Sequence, residues 1–103
     1  MIGKLEELTL LAVLRSGDNS LANDVYALVG RGQPGVAFGA VYTTLTRLVK
    51  KKLLTEMSVI DEKGRERRGF SITGSGSAAL QEAINASASV GGWESEVLYG
   101  RPT

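Results

Sequence analysis

The sequence predicts a mainly α fold with a small β-hairpin (α+β), in winged helix-turn-helix order with one added C-terminal helix. Three observations carry this. Apolar residues recur at helical spacing in four segments. Between the third and fourth segments the period changes to alternation, around a turn at Asp61-Glu62-Lys63-Gly64. The third segment and the hairpin after it hold most of the positive charge: residues 31–68 carry nine Lys/Arg against four acidic side chains, while both flanks are acidic.

The first helix is expected over residues 4–15. Leu5, Leu8, Leu11, Ala12 and Val13 make a wide apolar surface that Leu10 and Leu14 extend, so the helix should be covered on more than one side. Ser16-Gly17 stops it, and Asp18-Asn19-Ser20 offers a cap to a second helix running from about Leu21 to Val29. Gly30, Gly32 and Pro34-Gly35 then read as a loop.

The third helix, over residues 38–52, leads into Leu54. Val41, Leu45, Leu48 and Val49 face inward, and Ala40, Thr43, Thr44, Arg47 and Lys51 are expected on the outer side. Small residues, hydroxyls and Arg with no acid among them suit close approach to a polyanion. A solvated helix face would mix Lys with Glu. Tyr42 belongs at the edge of the core, its hydroxyl in reach of a phosphate. Strands follow at residues 55–60 and 65–72, with Lys63, Arg65, Arg67 and Arg68 at or near the hairpin tip. Protection of edge strands is the plain alternative for those charges.

Thr73 is the expected N-cap of the last helix, whose stripe is Leu80, Ala83, Ile84, Ser87 and Ala88, with Gly91-Gly92 expected to break it. Neither this stripe nor the first helix finds full cover in one thin domain. A homodimer through Leu5, Leu8, Leu80, Ile84 and Trp93 is therefore expected. The 103 residues suit one domain, divided into a winged unit (residues 1–73) and a dimerisation helix with tail (residues 74–103).

His and Cys are both absent, which removes the commonest general base, thiolate ligands and disulfides. No glycine-rich phosphate loop follows a strand, and no carboxylate pair is placed for acid–base work. An enzyme is the reading with least support, and no cofactor is expected. No apolar run approaches a membrane span and the N-terminus is unlike a signal peptide, so the expected location is cytoplasmic.

The segment Gly39–Leu54 with the stretch Arg67–Leu80 resembles the PadR-like transcriptional regulators. The family's Gly-x-x-Tyr-x-x-Leu-x-Arg-Leu core corresponds to Gly39, Tyr42, Leu45, Arg47 and Leu48. Its Arg-Arg-aromatic strand ending in Leu-Thr-x-x-Gly corresponds to Arg67, Arg68, Phe70, Ile72, Thr73 and Gly76. The first helix ending at Gly17 fits as well, and the resemblance spans residues 4–84. It implies double-stranded DNA as partner, repression, a homodimer and, in some members, a small-molecule effector. The chain departs from the pattern at Lys52, where Gly is usual, at Ala22-Asn23 in place of a Gly-aromatic pair, and at Gly69 in place of an aromatic residue. The alternative function is a winged helix that binds only protein, its basic residues serving solubility.

Overall fold

The computed structural model describes residues 2–98, with side chains through residue 88. The elements are α1 (Lys4–Ser16), β1 (Ser20–Leu21), α2 (Ala22–Gly32), α3 (Phe38–Lys50), β2 (Leu54–Ile60), β3 (Glu66–Ile72) and α4 (Gly74–Leu98). This is the expected α+β winged-helix order. No helix among the described residues is long and apolar enough to cross a membrane.

α1, α2 and α3 enclose one core of Leu10, Val13, Val25, Val29, Val41, Leu45 and Leu48, closed from the sheet side by Leu54 and Phe70. Each helix contributes residues three or four apart, the spacing that puts them on one face. β2 and β3 form the antiparallel hairpin, in register from Leu54 opposite Ile72 to Ile60 opposite Glu66. Gly64 completes the turn with φ 77.

A third strand was not expected. Ser20-Leu21 pairs with Phe70 and Gly69, giving the order β1-β3-β2. Two residues are too few to show a period, so only tertiary pairing reveals them. This pairing accounts for Gly69. A Cβ there would lie 3.0 Å from the Asn19 Cα and from a Val59 methyl, so the approach of the α1–β1 turn leaves no room for an aromatic side chain.

Three helix limits also differ from expectation. α2 runs through Gly30 to Gly32, because tertiary packing of Val25 and Val29 outweighs glycine's cost of about 1 kcal/mol. α3 ends at Lys50, with Lys52 at φ 62 in the left-handed position. Lys52 N–H donates to Val49 O (2.9 Å) and Leu53 N–H to Leu48 O (3.0 Å), so the exposed carbonyls of the last turn are satisfied without a glycine. α4 continues through Gly91-Gly92 to Leu98.

The junction before α4 holds α3 and the sheet in one frame. Thr73 Oγ1 accepts from Gly76 N–H (2.9 Å), as an N-cap does, and donates to Lys52 O (2.8 Å). Gly76 is packed so closely that a Cβ would sit 2.0 Å from Leu53 O. The Thr-x-x-Gly spacing thus serves a cap and a close backbone approach together.

Candidate nucleic-acid interface

α3 exposes Gly39, Ala40, Thr43, Arg47 and Lys50, with Tyr42 and Thr46 half-buried beside them. Thr44 is not on this face. It is 2% exposed, and its hydroxyl donates to Ala40 O at 2.8 Å within the helix. The reason is angular: at 100° per residue Thr44 lies next to Val41 and Leu48, which are both buried. The same rotation brings Lys50, seven residues after Thr43, onto the exposed face and carries Lys51 off it.

Lys51 donates to Glu6 of α1 at 2.6 Å. That hydrogen bond, with a second from Gly3 N–H, holds the Glu6 carboxyl below its usual range. Lys51 therefore ties α3 to α1, although it remains exposed. Arg47 and Lys50 make no ion pair among the described residues.

The wing places its charges differently. Asp61 caps the turn, its Oδ1 accepting from the backbone N–H groups of Lys63 and Arg65, both at 2.9 Å. Its Oδ2 meets Arg65 Nε at 3.3 Å and Arg67 at 3.2 Å. The hydrogen bond from Arg65 N–H comes first among the causes that keep the Asp61 carboxyl below its ordinary range. Lys63 is exposed and has no ionic partner among the described residues.

Arg68 is not at the tip. It pairs with Glu56 across the hairpin and donates to the Tyr42 hydroxyl at 2.6 Å. Its guanidinium stacks 5.2 Å from the Tyr42 ring centroid and 5.0 Å from that of Phe70. The Glu56 hydrogen bond raises the Arg68 pKa and lowers that of Glu56. Arg68 thereby fastens the wing to α3, and Tyr42 is held by it at the seam between the two.

Sequence reasoning missed Lys50, Thr46 and the acidic partners of the wing arginines. The helical angle of Lys50 was a usable signal, but no spacing rule pairs Glu56 with Arg68 before the strand register is known. Past the C-terminal end of α3, Ile2, Leu53, Ala79, Ala83 and Ala86 line an open groove of about 560 Å³ together with Glu7, Glu82, Lys51 and Ser87. Ile84 of α4 is exposed, and Leu5 and Leu8 are half-buried. Leu80 corrects the expected interface: it is 3% exposed and belongs to the chain's own core. The Trp93 side chain lies outside the described residues.

No curated protein matches the chain. The family described as "Transcriptional regulator PadR-like family" matches residues 10–82. Among solved structures, a PadR-like transcriptional regulator from Bacillus cereus strain ATCC 14579 is similar with a TM-score of 0.78 at 21% identity, over 91% of this chain and 90% of that one. A PadR family transcription regulator from Clostridium difficile R20291 gives 0.79 at 16% identity, over 93% and 99%. The Bacillus subtilis PadR structure, in complex with operator DNA, gives 0.61 at 24% identity, over 79% of this chain and 47% of that one.

Proposed function

The chain belongs to the transcriptional regulator PadR-like family, and from that premise we propose that it is a homodimeric repressor that reads an inverted-repeat operator with α3. The observation that carries this reading is the exposed face of α3: Gly39, Ala40, Thr43, Arg47 and Lys50, with no acid and with two cations that have no ionic partner among the described residues. A convex helix with small residues first and cations after suits the major groove. Phosphate contacts fall to Lys50, Lys63, the Tyr42 hydroxyl and those wing arginines that exchange Asp61 for phosphate. The operator complex of the Bacillus subtilis relative supports the reading by analogy.

Residues 1–73 form the reading unit in this proposal, and residues 74–103 the dimerising one. Leu5, Leu8, Ile84 and Trp93 meet a second copy, which covers the groove between α1 and α4. A small-molecule effector, where one acts, binds beside that seam. Two copies about a two-fold axis set their α3 helices about 34–36 Å apart, one turn of DNA.

Internal pairing of the wing arginines favours one alternative, a winged helix that binds protein alone. Selection of bound sequences from a random DNA pool decides between them. Recovery of an inverted repeat, bound by a dimer in sedimentation equilibrium and released steeply by salt, is the expected result. Failure to enrich any sequence overturns the proposal.

A further inference from the structure

β2 is the outer strand of the sheet. The order β1-β3-β2 gives it β3 on one side and no neighbour on the other among the described residues. Edge strands are ordinarily kept from pairing by shortness, Lys, Pro or a bulge. β2 has none of these. Its sequence, LTEMSVI, runs 7 residues with no Lys, Arg or Pro, and its register with β3 is unbroken from Leu54 to Ile60. Its one charge, Glu56, is engaged by Arg68. Met57 and Ile60 are 61% and 69% exposed.

The ladder fixes which groups the edge offers. Thr73 N–H donates to Leu53 O at 3.1 Å and Asp61 N–H to Arg65 O at 2.9 Å, just beyond the two ends of β2. Hydrogen-bonded pairs alternate along an antiparallel ladder. Thr55, Met57 and Val59 therefore direct their backbone groups to β3, while Leu54, Glu56, Ser58 and Ile60 turn theirs to the free edge.

That edge is complementary to itself. An antiparallel copy related by a two-fold axis through Met57 sets Leu54 opposite Ile60, Thr55 opposite Val59 and Glu56 opposite Ser58. Each edge-facing residue then meets an edge-facing residue, so the open N–H and C=O groups of both strands find partners. No like charges stand opposite, and the exposed Met57 meets its own copy. Moving the axis to Glu56 would set two carboxylates face to face. Moving it to Ser58 would push Leu54 and Thr55 against the partner's turn. We propose that β2 pairs edge to edge with β2 of a second copy, about a two-fold axis at Met57. The contact is separate from the seam between α1 and α4, so two operator-reading dimers become joined through their wings. Edge pairing itself does not depend on the operator reading, and its test needs no DNA.

The chain has no cysteine, so one introduced at the axis reports the register. Met57 and its copy form a non-hydrogen-bonded pair with Cα atoms about 4.5 Å apart, within disulfide reach. Thr55 is exposed on the same face, but it and its copy are four positions out of step, about 13 Å apart. In the full-length chain, Met57→Cys should cross-link under mild oxidation at least about tenfold faster than Thr55→Cys, which relies on random collision. Thermal melts check that both variants fold. Equal rates, or no cross-link from folded Met57→Cys, overturn the proposal. Sedimentation equilibrium over a protein concentration series needs no cysteine. Met57→Lys should reach only about half the wild-type mass, because two lysines would stand opposite at the axis. Equal masses at every concentration overturn the proposal, whether or not the seam between α1 and α4 forms. Failure of the operator reading is recognised separately, by the absence of any enriched DNA sequence.

Discussion

The outer face of α3 and the wing are both basic, but they hold their charge in opposite ways. Arg47 and Lys50 on α3 have no ionic partners among the described residues. In the wing, Arg65 and Arg67 share Asp61, and Arg68 is tied to Glu56 and Tyr42. A count of basic residues therefore overstates the wing's free charge, and of its four cations Lys63 alone has no ionic partner among the described residues. The difference follows from geometry. A helix presents its outer face away from neighbours, whereas cross-strand positions in a hairpin bring Glu56 and Arg68 within reach of each other.

The sharpest way to break this contrast is Arg47→Ala. If Arg47 is free to meet a base, affinity for the selected operator should fall about 10- to 100-fold, with a much smaller loss on random duplex. Equal losses on both in a competition gel shift would make Arg47 a phosphate contact.

Arg68→Ala should act mainly on the fold. It removes the stack on Tyr42 and Phe70 and leaves Glu56 without its partner. Because the pair is partly open to solvent, a stability loss of about 1 kcal/mol is expected. In a domain of this size that is a fall of about 4–8 °C in melting temperature. An unchanged melting temperature would mean that Arg68 is as free as Arg47.

Asp61→Asn should release Arg65 and Arg67 to phosphate. The dependence of log affinity on log salt should then steepen by up to about one unit for each arginine freed. The same carboxylates give a pH signature. Asp61 and Glu56 are held below their ordinary values of 3.8 and 4.5. A depressed carboxylate contributes stability that is present above its unfolded value and is lost as pH falls through the folded one. Melts of the wild type against Asp61→Asn and Glu56→Gln should differ at pH 7 and converge as the pH falls below about 4.

The smallest effects separate the two lysines. Lys63→Gln should flatten the salt dependence by about one unit on every sequence, as a phosphate contact does. Lys51→Gln should leave that slope unchanged, because Lys51 is engaged with Glu6 on α1. A loss of slope from Lys51→Gln would return Lys51 to the DNA face.

The order of the four helices and the hairpin, the inward face of α3, the turn at Gly64 and the cap at Thr73 were all legible in the sequence. Each depends on local rules: periodicity of apolar residues, the φ that glycine tolerates, and a hydroxyl three residues before an orphan N–H. The family resemblance was legible for a related reason, since Gly39, Tyr42, Leu45, Arg47, Thr73 and Gly76 hold fixed spacings. What depends on elements far apart in the chain was not legible. Ser20-Leu21 becomes a strand only because β3 lies beside it. Leu80 is buried by the packing of whole helices, which a stripe drawn on one helix does not specify, whereas the burial of Thr44 follows from its helical angle beside Val41 and Leu48. The pairing of Arg68 with Glu56 and Tyr42 needs both the strand register and the position of α3. Local sequence determines the elements and the spacing of the motifs. Only the tertiary fold decides which cations stay free, because an ion pair depends on distance across the fold and sequence order does not supply it.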